Sequence, residues 1–539
     1  MRKSVIALGL AAAGICNAAG AAPANNYYSS LPRTVITTDG EVDDMNSVIR
    51  ALLYSNEMDI AGIVITSSVY HYAGDPDDGV EPFRWTGTNW IYKFIDDYET
   101  VYPNLIKHDP NFRPAEYYRA RTHIGNITEV GEMDEITDGS EFLKNLFLDD
   151  DPRVLYVQTW GGTNTTARAL KSIEEEYRGT PQWSAIRKKL QDKIFLYIIL
   201  DQDDSYNEYI AKNWSNLTVI NDRCDFWHFA YAWKLHEDEV NTALKADWNV
   251  ENLFHKGALM DNYALMDDGN WIEGELPEEQ RGVGYIEHHP EYASYDFISE
   301  GDSPSFLYLA RNGLRSYENP SYGGWGGRFG AFTGNRAIND ALDYNPVLKK
   351  FDSVYSLSRW FDDMQNDFAA RADWCVADDF SKANHAPSVF VREGLNISAS
   401  AGQTVTLNAV AEDPDGDKIS YRWWRYFEAD TYQDDKRAKP AIQPNFFPGT
   451  TDFVMSFTRE LLPNEQLDTI RLSGANTSRV SFTVPRDRSE ERRVGKECRS
   501  ARRSPWRYHS HNYRSSGQRR AQPQGVSACD CHCQIKWRR

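Results

Sequence analysis

Two patterns of hydrophobic and polar residues divide the chain. Up to about residue 380, short apolar runs alternate with longer stretches in which apolar residues recur every three or four positions. The short runs are typical of strands buried on both faces, and the longer stretches of amphipathic helices. The apolar runs are 60–64, 154–157, 194–200 and 217–220, and the clearest helical stretches are 165–178 and 205–213. This alternation predicts an α/β domain over residues 23–383, with a mostly parallel sheet flanked by helices.

A different pattern begins near residue 384. Apolar and polar residues alternate singly, with turns between them, in the segments 389–391, 403–409, 419–424 and 479–484. This alternation predicts a small antiparallel β-sandwich of immunoglobulin type over residues 384–486. It also places Trp423 and Trp424 on opposite faces of one strand, so that at least one of them belongs to a core.

The acidic run from Asp413 to Asp417 allows two interpretations. Its sequence, Asp-Pro-Asp-Gly-Asp, begins like a calcium-binding EF-hand loop. The twelfth loop position is Trp424, where such a loop needs a glutamate, and no helix flanks the run. A turn between two strands is therefore favoured over a weak calcium site.

Three acids lie close together near the start of the first domain. Asp39 follows the apolar pair Val35 and Ile36, and Asp43 and Asp44 open a stretch with apolar residues at helical spacing. Carboxylates this close repel one another unless positive charge lies among them. A helix N-terminus supplies part of that charge, and a hard divalent cation supplies more. The pattern predicts a metal site at a strand-to-helix turn, and the alternative is a solvated turn in which Asp43 caps the helix.

This acidic turn resembles the signature Asp-x-Asp-Pro-Gly-x-Asp-Asp of the nucleoside hydrolase superfamily. Asp39, Asp43 and Asp44 match its second, third and fourth acids, whereas Thr37 stands at the first and Gly40-Glu41 replaces Pro-Gly. Two later segments are also similar to the superfamily. Residues 154–167 resemble its Thr-Gly-Pro-Leu-Thr-Asn segment, with Thr159 at the first Thr. Residues 300–310 resemble its His-Asp-Pro segment, with Asp302 at the Asp and Gly301 at the His.

Further segments resemble a narrower family. Together with the acidic turn, Leu-Asp-Gln-Asp-Asp at 200–204, Glu-Gly-Asp-Ser-Pro-Ser-Phe at 300–306 and Gly-Gly-Trp-Gly-Gly-Arg at 323–328 are similar to secreted cellulose-binding proteins. In that family a nucleoside-hydrolase-like domain precedes an immunoglobulin-like domain. The resemblance covers about residues 30–486. It implies the fold more strongly than the activity, because function depends on the site rather than on the fold.

The resemblance implies a calcium site and a role for each matching residue. Asp39 is the base and a calcium ligand, Asp44 and Asp302 are ligands, and Thr159 lends its backbone carbonyl. Asp43 contacts a sugar hydroxyl. The expected reaction is hydrolysis of a glycosyl bond, which needs a nucleophilic water, a base and help for the leaving group. The alternative is a carbohydrate-binding protein that has kept this fold and lost turnover.

The proton donor for the leaving group is missing from this pattern. Gly301 carries no proton to donate, and the nearest imidazoles, His288 and His289, are expected to be exposed loop residues. A second acidic run follows a clear strand, and its carboxylates either line the pocket as sugar contacts or an acid, or belong to a solvated loop before a helix. This run contains Asp201, Asp203 and Asp204.

The glycine-rich segment at 323–328 carries one flat ring and one fixed charge. Its glycines flank Trp325, and the segment ends at Arg328. It is expected either to close over a sugar as a flexible loop or to form a packed turn. On the first interpretation, Trp325 and Arg328 are substrate-binding residues.

The two ends of the chain differ from its body. Residues 1–22 have the basic start, short apolar run and small residues of a secretory signal peptide, which predicts a secreted product. Residues 487–539 are strongly basic, although the whole chain has a formal net charge of −20. This tail has no strand or helix period, and we interpret it as a non-native sequence end rather than a nucleic-acid-binding arm or a metal site.

The acidic body narrows the choice of partners. Its charge argues against a nucleic-acid polymer or an anionic membrane as ligand. A sugar-containing small molecule or a polysaccharide remains compatible with the charge and with the many aromatic residues. Cys224 and Cys375 are the cysteines between the predicted signal peptide and the tail, and a disulfide between them is one possibility in an oxidising compartment.

Overall fold

The computed structural model of the chain describes most of its predicted domains. It covers residues 27–330, 332, 334–338, 341–426, 428–429, 458–460 and 470–485, together with short strands at 445–446, 453–454 and 533–534. The predicted signal peptide and nearly all of the basic tail lie outside the described residues. Among the described residues, none of the helices combines the length and the apolar character needed to span a bilayer.

The helices and strands are named here in chain order. The helices are α1 (Val42–Leu53), α2 (Asn89–His108), α3 (Ala115–Arg119), α4 (Asp138–Leu148), α5 (Asn164–Tyr177), α6 (Trp183–Lys193), α7 (Ala211–Asn213, preceded by a π-helical turn, Tyr206–Ile210), α8 (Asp225–His228), α9 (Asp238–Asn241), α10 (Ala246–Asn252), α11 (Ser303–Leu307), α12 (Tyr355–Ser358) and α13 (Phe361–Val376). The strands are β1 (Arg33–Thr38), β2 (Asp59–Ile65), β3 (Thr122–Ile124), β4 (Leu155–Thr159), β5 (Ile194–Ile199), β6 (Thr218–Asp222), β7 (Arg336–Ile338), β8 (Asp343–Asn345), β9 (Lys350–Asp352), β10 (Ser388–Val391), β11 (Thr404–Glu412), β12 (Arg422–Trp423), β13 (Asn445–Phe446), β14 (Phe453–Val454), β15 (Thr458–Glu460), β16 (Arg479–Thr483) and β17 (Cys533–Gln534).

A parallel seven-stranded sheet forms the centre of the first domain, which confirms the predicted α/β fold. Its strand order is β3-β2-β1-β4-β5-β6-β7. From β1 the chain adds strands first on one side and then, beginning with β4, on the other. The order therefore reverses between β1 and β4, and Thr37 of β1 lies opposite Thr159 of β4. In open α/β sheets this reversal opens a crevice at the carboxyl ends of the strands, where ligands bind.

Alternating side chains of the sheet feed two separate cores. On β1, Val35 packs with α4, α5 and α6 on one face, whereas its neighbour Ile36 packs with α1, α2 and α13 on the other. Because both faces are covered, the strands are apolar along almost their whole length, as the sequence pattern indicates. The site is thus held between two rigid layers.

The C-terminal region contains antiparallel strands, as predicted. A three-stranded sheet of order β10-β11-β16 has its own small core, in which Trp423 packs with Leu407, Val480 and Phe482. The immunoglobulin-type arrangement stays a prediction, because part of this region lies outside the described residues. After β11 the chain turns as expected, and the Asp413 carboxylate accepts the backbone N–H groups of Asp415 and Asp417.

The strand predicted at 419–424 is shorter than expected, because the chain crosses to the first domain after Trp423. Trp424 packs beside Trp360, with ring centroids 6.1 Å apart. The hydroxyl of Tyr426 donates to Asp343 of β8. Trp423 and Trp424 therefore point into different cores, in agreement with the alternation of the sequence.

The two cysteines do not form the disulfide that the sequence allowed. Cys224 and Cys375 are both buried free thiols. Cys224 belongs to a small cluster with Val354, whereas Cys375 is part of the core beside α13. Burial raises the pKa of both thiols, which keeps them in the unreactive protonated form.

Candidate functional site

The acidic turn joins β1 to α1 at the crevice of the sheet. Gly40 has a φ of +80°, and a Cβ at this position would lie 2.6 Å from the Thr86 hydroxyl oxygen and 2.9 Å from the Trp90 indole nitrogen. A side chain is therefore excluded by both backbone conformation and space. This tight turn starts α1 immediately, so that Asp43 and Asp44 stand in its first turn beside Asp39.

Three carboxylates converge at this turn, as the sequence comparison implied. Asp43, Asp44 and Asp302 are buried, and one oxygen of each lies within 4.8 Å of the others. Several of the buried oxygens have no hydrogen-bond partner, including Asp39 Oδ2, Asp43 Oδ1 and Asp302 Oδ2. Buried carboxylate oxygens without a donor are costly, so this arrangement suits either a cation or bound protons.

The electrostatics of the cluster point in the same direction. Burial raises the pKa of Asp43, Asp44 and Asp302 well above the usual range, and the neighbouring acids raise each pKa further. The only opposing hydrogen bonds at Asp44 are modest. Its Oδ1 accepts from the Thr38 hydroxyl at 2.5 Å and from the Asp39 backbone N–H at 3.3 Å. The set of hard oxygen donors fits calcium, which binds six to eight oxygens.

The end of β4 forms the opposite wall of the crevice. Thr159 is fully buried, and Gly161 packs so tightly that a Cβ there would lie 2.8 Å from the Asp39 Cβ. Thr37, which stands where the resemblance expects the first acid, points away toward β4, and its hydroxyl donates to the Gln158 carbonyl at 3.4 Å. The structure thus brings Thr159 next to the acidic turn, although the two lie far apart in the sequence.

Asp302 is held in place by a buried ion pair one turn away. Glu300 binds Arg50 of α1 through two contacts, Nε to Oε2 at 2.5 Å and Nη2 to Oε1 at 2.7 Å. Glu300 also accepts hydrogen bonds from Tyr263 and Ser303. Because α1 carries both Arg50 and Asp44, this pair ties the Asp302 loop to the helix that carries the other acids.

Gly301 occupies a position with no room for a side chain. A Cβ there would lie 2.6 Å from Asp43 Oδ2, 3.3 Å from the Ala230 Cβ and 3.4 Å from the Phe226 ring. The space in which a histidine would stand in the superfamily is therefore filled. A proton donor for a leaving group must come from another element.

Four residues that the sequence analysis did not select line the outer side of the acidic turn. Glu41 accepts a hydrogen bond from the Tyr231 hydroxyl at 2.8 Å, and its other oxygen lies 3.8 Å from His71 Nε2. His71 is buried, and its Nδ1 donates to the Arg84 carbonyl at 2.6 Å. Neither His71 Nε2 nor the Tyr70 hydroxyl has a hydrogen-bond partner. Only Glu41, inside the motif, carried a sequence signal.

The second acidic run has mainly a structural role. The Asp201 carboxylate accepts the backbone N–H groups of Tyr206 and Asn207 at 3.1 and 2.9 Å. Asp203 accepts the Asn164 N–H at 2.9 Å and the Ser205 hydroxyl at 2.8 Å, which ties the loop to the start of α5. Asp204 has a positive φ of 59°. These contacts correspond to the capped loop that the sequence left open, rather than to free sugar ligands.

The glycine-rich segment at 323–328 is a packed turn. Arg328 is buried, and its Nε donates to Asp343 at 2.7 Å while Nη2 donates to the Leu342 carbonyl at 2.8 Å. Trp325 is half-buried against the main core. A Cβ at Gly323 would lie 2.7 Å from the Tyr426 hydroxyl. Arg328 therefore serves the contact between the two domains, which corrects its assignment to substrate binding.

The two histidines nearest in sequence to Asp302 lie at the surface. His288 is exposed, and His289 stacks on Tyr285 with ring centroids 3.9 Å apart and pairs with Glu291 at 3.2 Å. Both fit the expected role of loop residues. Neither has a contact with the acidic cluster among the described interactions.

Comparison with known proteins agrees with this architecture. Residues 33–329 match the family described as "Cellulose-binding Sde182, nucleoside hydrolase-like domain", and residues 404–452 match "Cellulose-binding protein Sde0182, C-terminal domain". The chain is similar to a solved nucleoside hydrolase-related hypothetical protein from Saccharophagus degradans that is associated with carbohydrate metabolism. The two share 24% identity over 85% of this chain and 92% of that chain, with a TM-score of 0.57, which shows a shared fold.

A plant nucleoside hydrolase is a more distant match. It shares 9% identity over 57% of this chain and 86% of that chain, with a TM-score of 0.27. No curated protein matches the sequence. The family matches confirm the resemblance that the acidic turn and the later segments predicted.

Proposed function

The chain belongs to the family of cellulose-binding proteins with a nucleoside hydrolase-like domain, and we propose that it is a secreted, calcium-dependent hydrolase of glycosyl bonds. The observation that carries the proposal is the cluster of Asp43, Asp44 and Asp302, three buried carboxylates with unsatisfied oxygens at the crevice of the sheet. A purely structural cluster of this kind would leave several oxygens without compensation. A cation site explains their convergence.

Each residue has a distinct role in this proposal. Asp44, Asp302 and the Thr159 carbonyl would hold calcium together with Asp39, and the bound ion lowers the pKa of a water molecule and orients sugar hydroxyls. Asp39 Oδ2, which has no partner, accepts the proton of the attacking water. Asp43 Oδ1 is equally free and would accept a hydrogen bond from the sugar.

The proton for the leaving group is assigned to His71. Its Nδ1–H is fixed on the Arg84 carbonyl, which leaves Nε2 facing Glu41 beside the acidic turn. When the glycosyl bond breaks, its electron pair passes to the departing atom, which takes the Nε2 proton of the imidazolium. Water adds to the sugar carbon and gives its proton to Asp39, from which bulk water restores the proton of His71. The sum is hydrolysis, with one water consumed.

The test compares wild type with Asp39→Asn on a panel of nucleosides and 4-nitrophenyl glycosides with and without calcium. We expect turnover by the wild type that calcium chelation removes. Loss of the base should reduce kcat by about 10²–10⁴-fold. Asp150→Asn is the matched control, because this exposed residue precedes β4 at the opposite end of the sheet. Absence of turnover across the panel at saturating calcium would count against hydrolysis.

His71→Gln is expected to separate proton donation from the other steps. Substrates with poor leaving groups should lose about 10²–10⁴-fold in kcat/KM, because a general acid contributes that much. Nitrophenyl glycosides should change by less than about ten-fold, since nitrophenolate departs without a proton. The measurement is kcat/KM for both substrate classes, with His288→Gln as an exposed control. An equal loss on both classes would assign His71 to structure alone.

A second candidate function is carbohydrate binding without turnover. The observation that favours it is the filling of the Gly301 position by Asp43, Ala230 and Phe226, which leaves no space for a histidine at that point. The same panel distinguishes the two functions. Saturable sugar binding without product, in both wild type and Asp39→Asn, would support the binding function.

A further inference from the structure

Two exposed aromatic side chains stand on the loops that surround the acidic turn. Among the described tryptophans, Trp271 alone is exposed, with 55% of its surface accessible, and Phe83 is 38% accessible. Large exposed rings on ordered loops are unusual unless a ligand covers them. Neither ring belongs to the acidic site, and the proposed hydrolysis does not use them.

Trp271 is placed by a direct packing link to the acidic turn. The next residue, Ile272, is buried in a small cluster with Val42 and Ile298. Val42 lies between Glu41 and Asp43 in the sequence. Since Ile272 points inward to this cluster, the ring of Trp271 points outward at the edge of the same wall.

Phe83 reaches the same wall from a second loop. It forms an antiparallel bridge with Tyr72, and the two ring centroids are 5.9 Å apart. Tyr72 follows His71, and Phe83 precedes Arg84, so both rings flank the hydrogen bond between His71 and the Arg84 carbonyl. The rings of Tyr72 and Phe83 therefore lie just outside the buried His71.

Contacts of Arg84 join the two loops. Its Nε donates to the Gly274 carbonyl at 3.1 Å, and its Nη2 lies 3.2 Å from a Glu279 oxygen. A Cβ on Gly274 would lie 3.1 Å from the His71 ring. The loop of Trp271 and the loop of Phe83 thus form one continuous rim beside the acidic site. We call the side chains of Tyr72, Phe83 and Trp271 the aromatic rim.

We propose that the aromatic rim binds a neutral β-linked glucan chain and leads it to the acidic site. Flat rings with polar neighbours, here Arg84, Glu279 and Asn270, match the mixed apolar and hydroxyl-bearing surface of a sugar chain. The net charge of −20 disfavours polyanions and favours a neutral polymer. The family description names cellulose, without saying which residues bind it. The inference rests on the proposed function only for what happens to the chain in the pocket.

The experiment measures binding of the full chain to amorphous cellulose by depletion and by affinity electrophoresis. We expect Trp271→Ala and Phe83→Ala each to weaken binding by at least five-fold, and the double variant to abolish it. Trp271→Phe, which keeps a flat ring, should retain most of the binding. Leu235→Ala is the matched control, because Leu235 is 76% accessible on a different loop. Thermal unfolding of each variant checks that the fold is intact.

The outcomes separate this inference from the proposed function. Binding that is unchanged in Trp271→Ala and Phe83→Ala, or absent in the wild type, would overturn the aromatic rim as a glucan site. Asp39→Asn should bind cellulose like the wild type while losing turnover. If no variant shows turnover but binding depends on Trp271, the rim stands and the hydrolase proposal falls.

Discussion

Asp44→Asn is expected to abolish the stabilisation of the protein by calcium and to make the metal-free protein more stable at pH 7. In the native state Asp44 is buried beside Asp43 and Asp302, and its pKa is raised well above the usual range. Holding it ionised without a cation is therefore unfavourable. The asparagine keeps an oxygen that accepts from Thr38 and removes the charge.

The pH dependence of the metal-free protein follows from the same shifts. A carboxyl whose native pKa exceeds its unfolded value of about 3.9 binds more protons in the folded state between the two values. Its free energy of unfolding therefore falls as the pH rises above about 4, and continues to fall until the raised native pKa is passed. The decrease should be smaller in Asp44→Asn and should disappear when the wild type is saturated with calcium.

Calorimetric titration and urea unfolding check this prediction. Calcium at one hundred times its Kd should stabilise the wild type by about 2.7 kcal/mol and Asp44→Asn by almost nothing. Asp150→Asn should respond like the wild type. Calcium binding that persists unchanged in Asp44→Asn would place the ion elsewhere, and no binding in the wild type would make the acidic turn structural.

Arg50→Met is expected to cause the largest loss of stability. Arg50 and Glu300 are both buried, and the guanidinium also lies over the Phe368 ring at 3.8 Å. Removing the cation leaves Glu300 charged and uncompensated in the core, which typically costs about 3–5 kcal/mol. Because Glu300 precedes the Asp302 loop, calcium affinity should fall as well.

Equilibrium urea unfolding of metal-free protein gives the measurement, and a second variant tests the cause. Arg50→Met combined with Glu300→Leu should recover a large part of the loss, since an apolar pair often replaces a buried ion pair at little cost. Lys188→Met is the surface comparison. Its exposed pair with Asp192 should contribute less than about 1 kcal/mol. A loss from Arg50→Met no greater than that of Lys188→Met would remove the buried pair from the account of this fold.

Much of the fold was predictable because its determinants are local. The runs at 60–64 and 194–200 are strands within one or two residues of the predicted ends, since period and apolar character decide what a sheet buried on both faces accepts. The acidic turn was also visible, because Asp39, Asp43 and Asp44 lie within six positions at a strand-to-helix change. Single alternation likewise separated Trp423 from Trp424.

Other parts of the site were not predictable, because their meaning depends on distant partners. The sequence allowed Arg328 to bind a sugar, whereas the fold places Asp343 against it. Asp203 could equally have been a ligand or a cap until α5 was positioned beside it. His71 had no sequence signal at all, since its importance comes from Arg84 on one side and Glu41 on the other.

By itself, the sequence determined the parallel sheet, the sheet-forming C-terminal region, the family and the acids of the strand-to-helix turn. These depend on periodicity and on residues close together in the chain. Only the tertiary structure decided that Thr159 and Asp302 join Asp39, that the Gly301 position is filled, and that the loops of Phe83 and Trp271 meet. The physical reason is that such contacts form only when the strand order closes β1 against β4 and the buried pair of Arg50 and Glu300 brings the distant loop onto α1.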